Sequence, residues 1–341
     1  MKHVITGGAG FIGCNLAHHL LARGETVTVL DNLSRPLTPL NLEWLRSQHG
    51  EQLQFVQADI RDAEAMHAVI PGHDVVYHLA GQVAVTTSVT DPRSDFEINA
   101  LGTLNVLEAA RLAPQPPVLF YASTNKVYGG MESVGVVREA THYRYANLPL
   151  GVPETQLLDF HSPYGCSKGA ADQYVRDYAR IYGLKTVVFR QGCIYGPRQF
   201  GVEDQGWAAH FVIAATLGRP ITIYGDGLQV RDMLYVDDLV AVYLKALDQI
   251  EHASGQIYNV GGGPANTLAI WAEFGPLLAE LTGRAIDVRY GDWRPGDQPV
   301  YVSDISKATN ELGWVPQVPV REGIRRLIEW VRANEPIFGK T

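Results

Sequence analysis

Short runs of consecutive apolar residues alternate with helically spaced ones along the first two-thirds of the chain. His3-Val4-Ile5 leads directly into glycines, so residues 2–6 read as a buried strand. Ile12, Leu16, Leu20 and Leu21 then share one face of a predicted helix over 11–23, with Gly24 as its stop. Residues 26–31, 53–57, 74–80, 118–123 and 186–190 read as further strands. Helices are expected over roughly 95–112 and 163–182. This alternation implies an α/β fold, a doubly wound parallel sheet of the Rossmann kind.

From about residue 192 the rhythm loosens. Helices are expected near 203–217, 267–282 and 320–334, with an isolated strand at 221–224. The reading is a Rossmann domain over 1–191 that also receives later segments, about 230–260. Residues 192–341 are expected mainly as a smaller lobe over the carboxyl ends of the strands, where open α/β sheets bind ligands. No repeat or low-complexity linker interrupts the chain.

Of the 341 residues, 28 are Lys or Arg and 36 are Asp or Glu, a formal charge of −8. That balance argues against a nucleic-acid or membrane-surface partner. No apolar run approaches the ~20 residues a membrane helix needs. Cys14, Cys166 and Cys193 fit no metal or disulfide spacing and read as free thiols, Cys166 and Cys193 as packing thiols rather than nucleophiles. A cytoplasmic protein without a metal site is expected.

The chemistry begins at Gly7, Gly10 and Gly13, which surround Phe11 and Ile12 between the first strand and its helix. Such a turn lets a backbone approach a pyrophosphate at a helix N-terminus. Asp31 and Asn32 end the second strand, where a carboxylate accepts from ribose hydroxyls and repels a 2′-phosphate, favouring NAD over NADP. Asp59 and Ile60 are expected at the adenine edge, Leu79 and Ala80 beside the adenosine half, and Asn99 as an anchor near the active site.

Tyr164 precedes Lys168 by four residues, so both lie on one face of the helix that follows Ser162-Pro163. A buried lysine charge lowers a neighbouring phenol's pKa, and such a phenol trades protons. Thr124 supplies a second hydroxyl at the end of the fifth strand. His18 and His19 are expected to face solvent, and His78 to sit in the sheet core.

Nearly end to end, the chain resembles the extended short-chain dehydrogenase/reductases of the nucleotide-sugar epimerase and dehydratase group. The resemblance rests on 7–13, Asp59-Ile60, Ser123-Thr124, Val127-Tyr128-Gly129, Tyr164 with Lys168, Gln229-Val230-Arg231-Asp232 and Tyr258-Asn259-Val260. It implies that Thr124, Tyr164 and Lys168 are catalytic, with Tyr164 and Lys168 also touching a tightly bound, recycled NAD. It further implies a homodimer or homotetramer paired through helices 95–112 and 163–182.

In that group, dehydratases carry an acidic pair after the threonine, whereas this chain has Asn125-Lys126. Decarboxylating members carry a Glu there, also absent. What remains is oxidation, rotation and reduction, the work of an epimerase. The longer runs 123–129, 162–174 and 190–207 resemble the CDP-tyvelose (CDP-paratose) 2-epimerase branch, implying a CDP-hexose substrate and reaction at C2. Gly192 departs from that pattern, where serine is expected. A 4-epimerase of UDP- or other nucleotide sugars is the competing enzyme reading, disfavoured by Cys193 where those enzymes have asparagine. A non-catalytic dinucleotide sensor is the third, disfavoured by the intact Thr124, Tyr164 and Lys168.

On the substrate side we expect Thr124, Asn125, Gln191, Cys193, Gln205, Tyr224, Arg231 and Arg294. A guanidinium matches phosphate oxygens at two points, which suits Arg231 and Arg294 to a diphosphate. The alternative for each is a structural ion pair, for example with Asp232 or Asp297.

Overall fold

The structure, a computed structural model, describes residues 1–294 and 297–339. Five strands come in the order the pattern predicts: β1 (Lys2–Thr6), β2 (Thr26–Asp31), β3 (Leu53–Gln57), β4 (Val75–His78) and β5 (Val118–Thr124). A small hairpin, β6 (Val136–Arg138) and β7 (Tyr143–Tyr145), precedes β8 (Thr186–Gln191) and β9 (Cys193–Tyr195). The remaining strands are β10 (Ile221–Tyr224), β11 (Val230–Tyr235), β12 (Gln256–Val260), β13 (Thr267–Ala269), β14 (Val288–Gly291) and β15 (Val300–Tyr301).

Seven strands form one parallel sheet in the order β12-β8-β5-β4-β1-β2-β3. The central strands β1, β4 and β5 bury mostly apolar residues on both faces, as a doubly covered parallel sheet requires. Ile5, Val75, Tyr77, Phe120, Val187 and Phe189 face one core with Leu16, Leu20 and Tyr243. Their alternates Val4, Val76, Leu119, Tyr121 and Val188 face the other, with Leu107 and Val175. Each buried aliphatic or Phe side chain contributes roughly 1.5–3 kcal/mol of transfer free energy. All strands run the same way, but the order of winding reverses between β1 and β4, and a crevice opens there at the carboxyl ends.

The remaining strands, with the helices Trp207–Leu217, Phe274–Thr282 and Val320–Ala333, form a second layer beyond those ends. β11 pairs β9 and β15 in parallel and β13 antiparallel. Its own core includes Phe211, Ile223, Leu278 and Ile328. No helix among the described residues is long and apolar enough to cross a membrane.

Several local expectations are corrected. The segment expected as a helix from 267 begins as β13, because Thr267–Ala269 find partners on β11; the helix starts only at Phe274. The helix expected from 203 starts at Trp207, because Gly206 at φ 71 turns the chain left-handed just before it. β10 is not isolated, since it pairs β14. His18 and His19 are half-buried rather than solvent-facing. His18 packs on Trp44 and bonds His49 at 2.9 Å, and His19 bonds the Asn15 carbonyl at 2.8 Å. The helix expected over 95–112 is Pro92–Phe96 and Gly102–Arg111 joined by a π-turn, Glu97–Leu101.

Candidate active site

The crevice is a cleft of about 400 Å³ running along the carboxyl ends of β1, β2, β4 and β5. Its floor is the turn from β1 into the helix Phe11–Ala22. Gly7 holds φ +69, and a Cβ there would sit 2.7 Å from the Ala80 nitrogen. A Cβ at Gly13 would overlap the Gly7 carbonyl oxygen and lie 2.6 Å from the Gly8 Cα. These glycines therefore let the helix N-terminus meet the cleft with bare backbone, the arrangement that receives a phosphate group.

Asp31 closes the adjacent end. Its two oxygens accept from the Ala9 nitrogen at 3.1 Å and the Leu33 nitrogen at 2.8 Å, which fixes the carboxylate while leaving lone pairs for further donors. Burial pushes its carboxyl upward, opposed by those backbone hydrogen bonds. Asp59 is held by Arg61 in a two-point pair at 3.0 and 2.8 Å and by Asn32 at 2.9 Å; the Arg61 hydrogen bonds bring its carboxyl down to about 2. Phe11, Ile12, Ile60, Leu79 and Ala80 complete the apolar lining. A phosphate-ready glycine turn and a fixed carboxylate for ribose hydroxyls fit NAD. Gly7, Gly10, Gly13 and Asp31 would hold its phosphates and adenosine ribose.

Asn99 lies behind this wall rather than on it. It is buried, its Oδ1 accepts from the Gln82 nitrogen at 2.9 Å, and its Nδ2 donates to Ser167 at 3.1 Å and Asp95 at 3.2 Å. It joins the cleft loop to the catalytic helix, so its place in the site is that of an anchor. Ser34, Arg35, Gln82 and Thr87 also line the cleft and were not singled out in the sequence; Ser123, named there only as part of a motif, lines it too. Arg35 follows Asp31 in a polar loop, where no spacing rule distinguishes it from a surface arginine.

At the far end, Tyr164 and Lys168 enter from the helix Ser162–Tyr182, whose first turn contains Pro163. The Lys168 ammonium donates to the Ala122 carbonyl at 2.6 Å and lies 4.3 Å from the centre of the Tyr121 ring. Burial pushes this amine down to about 7, opposed by Asp172 and Asp95. The Tyr164 phenol is pushed up to about 12, again by burial, with a hydrogen bond to Thr124 opposing. The expected lowering of the phenol by Lys168 is absent here, because desolvation dominates and the ammonium is turned to Ala122. Thr124 ends β5 and accepts from the Lys126 nitrogen at 3.2 Å.

Beneath these groups is a buried polar frame. Asp172 accepts from Ser123 at 2.7 Å and from Arg190 at 2.9 and 3.0 Å, and Arg190 donates to Tyr128 at 3.1 Å. Tyr128 in turn donates to Asn259 at 2.7 Å, tying β5, β8 and β12 together at the reactive end.

The substrate-side residues divide. Gln191 and Gln205 line the cleft. Thr124 and Asn125 lie immediately beyond its Ser123 rim. Cys193 is in β9, its thiol pushed up to about 12 by burial, as befits packing rather than attack. Arg231 pairs with Asp297 at 2.6 Å, not with Asp232. Asp232 instead accepts from the Gly263 and Ser303 nitrogens at 3.2 and 3.1 Å. Arg294 stacks 3.9 Å from the centre of the Tyr224 ring and pairs with Asp204 at 3.1 Å. Gly192 abuts the Asp232 carboxylate; a Cβ there would be 2.9 Å from its Oδ1.

A family model described as GDP-mannose 4,6 dehydratase matches residues 4–327. The chain belongs to that family. It is 44% identical to the CDP-paratose 2-epimerase of Salmonella typhi over 339 residues, spanning 97% of this chain and 99% of that one. Among solved structures it resembles the UDP-glucose 4-epimerase of Thermotoga maritima with UDP-glucose, at TM-score 0.84 and 32% identity over 98% of this chain and 100% of that one. The Thermus thermophilus UDP-glucose 4-epimerase complex with NAD gives TM-score 0.80 and 35% identity over 97% and 99%.

Proposed function

We propose that the protein is an isomerase inverting C2 of a CDP-hexose, either CDP-paratose/CDP-tyvelose or a related pair such as CDP-glucose/CDP-mannose. The observation that carries the reading is Tyr164 and Lys168 lining the far end of the cleft that the glycine turn opens, with Thr124 hydrogen-bonded to Tyr164 and followed by Asn125-Lys126 where an eliminating enzyme needs acids. The 44% identity to a CDP-paratose 2-epimerase supports the choice of carbon and base. NAD, when bound and retained, supplies an acceptor and donor of hydride.

Tyr164 takes the proton of the C2 hydroxyl at its phenol oxygen and returns it at the end of turnover. Thr124 shares a hydrogen bond with the same sugar oxygen, and Lys168 supplies the charge that favours the phenolate once its ammonium leaves the Ala122 carbonyl. The 2-keto sugar turns about its phosphate linkage, so grip belongs at the nucleotide and freedom at the hexose. Arg231 and Arg294 answer the diphosphate by exchanging Asp297 and Asp204 for phosphate oxygens. Binding energy is then spent away from the reacting carbon.

The test is proton NMR of CDP-paratose or CDP-glucose with the purified protein in D₂O and no added NAD. Appearance of the 2-epimer with hydrogen kept at C2 supports internal return of hydride. Deuterium at C2 would refute the role given to Tyr164, and inversion at C4 would favour the 4-epimerase reading.

A further inference from the structure

We infer that Lys126 is a specificity-determining residue of the sugar pocket, its ammonium donating to hydroxyl oxygens of the hexose while Arg231 beside it answers the diphosphate. The inference rests on the nucleotide-sugar reading above and deepens it.

The backbone of Lys126 is fixed to the reactive centre at two points. Its nitrogen donates to the Thr124 hydroxyl oxygen at 3.2 Å. Its carbonyl faces Gly165 in the first turn of the catalytic helix, where a Cβ would come within 3.3 Å. The side chain leaves this point half-buried and reaches the electrostatic neighbourhood of Arg231 and Asp297 on the substrate side.

Among the described residues, the Lys126 ammonium has no hydrogen-bond or ion-pair partner. The two other lysines drawn inward are satisfied: Lys168 by the Ala122 carbonyl, and Lys307 by Gln256 and the Ile257 carbonyl, both at 2.9 Å. The ammonium is not among the sealed unpartnered polar atoms, so its three donors are held by no protein group and are open to an arriving hydroxyl acceptor in place of solvent. Asp297 is already committed, its Oδ1 accepting from Arg231 at 2.6 Å and from the Gln298 nitrogen at 3.0 Å. Two cations thus face one carboxylate beside the catalytic threonine. Burial brings the Lys126 amine down to about 8, which leaves it largely protonated at neutral pH.

The two cations suit different acceptors. Arg231 presents a planar fork that matches phosphate. Lys126 presents three rotatable donors on a flexible stem, which can follow a hexose that shows first one face and then the other. While protonated, Lys126 holds the hydroxyls of the keto sugar without taking a carbon-bound proton, as a carboxylate at this position could.

The test compares CDP with CDP-paratose by isothermal titration on wild-type protein and on Lys126→Met, with circular dichroism as a fold check. The expected result is a loss of about tenfold or more in affinity for CDP-paratose and less than about threefold for CDP. Lys126→Arg should stay within about threefold of wild type for both. Lys126→Gln provides a second neutral variant if the methionine form does not fold. Equal losses for CDP and CDP-paratose would place Lys126 on the diphosphate and overturn the inference, as would no loss for either. If wild-type protein binds neither ligand, the cytidine reading fails, and UDP against UDP-glucose decides Lys126 by the same criterion.

Discussion

Substituting Asp172 by asparagine tests whether the buried frame sets the chemistry above it. Asp172 is fully buried, and its carboxylate accepts two hydrogen bonds from Arg190, itself 2% exposed, plus one from Ser123. An asparagine of the same shape removes the countercharge and turns an NH₂ group toward the guanidinium. Arg190 keeps Tyr128 but becomes a buried cation without an anion, a situation that costs roughly 3–5 kcal/mol. The assay is urea denaturation followed by tryptophan fluorescence. The double replacement Asp172→Leu with Arg190→Met should recover much of the loss, because it removes the buried guanidinium together with its anion and leaves Lys168 with Asp95 as its countercharge. Asp172 is also the stronger of the two countercharges, with Asp95, that hold Lys168 protonated against burial. Asp172→Asn should therefore shift the alkaline limb of the activity profile to lower pH. A loss below about 1 kcal/mol, with an unshifted profile, would refute the reasoning.

Three further outcomes are expected. Tyr164→Phe should lower turnover by roughly 10²–10⁴-fold with the fold intact, read by NMR of the sugar and by thermal melting. Gly13→Ala pushes a methyl group against the Gly7 and Gly8 backbone, which cannot swing aside; about 1–3 kcal/mol of stability and most of the co-purifying NAD should be lost, measured by melting and by chromatography of the released nucleotide. Lys168, pushed down to about 7 in the fold, binds its proton more readily in the unfolded chain, so its contribution to stability is flat below that value and rises with pH toward the ordinary lysine value of about 10.4. Lys168→Met should flatten this rise in denaturation curves taken across the window; identical slopes would count against it.

The parallel sheet was legible because β1, β2, β3, β5 and β8 are short runs built on β-branched, aromatic and leucine residues and bounded by glycines or polar turns. The cofactor end was legible for a related reason: Gly7, Gly10, Gly13 and Asp31 are constrained by spacing along one strand-turn-helix-strand unit. The second lobe was not. Thr267–Ala269 and Val300–Tyr301 owe their extended form to β11, a partner distant in the chain, and two or three residues carry no periodicity of their own. The partner of Arg231 was open between neighbouring and distant acids until the fold placed Asp297 against it. Lys126 was visible only as a missing acid. Its significance as a cation comes from what surrounds it in three dimensions.

The place of β12 at the outer edge of the large sheet has a consequence for how the chain is made. β8 ends at Gln191, and the strand that covers its open side, β12, is not complete until Val260. At a synthesis rate of ~5–20 residues per second, roughly 70 residues separate them, so the emerging chain carries an unpaired parallel edge for about 4–14 s. A ribosome stalled within that interval, or a product cut between the two strands, presents the hydrogen-bonding groups of β8 to any neighbouring chain. Quality control of this protein is therefore expected to act on the 192–260 interval, and a fragment ending at Gln191 should sediment as aggregate even though it contains the whole glycine turn and every catalytic group.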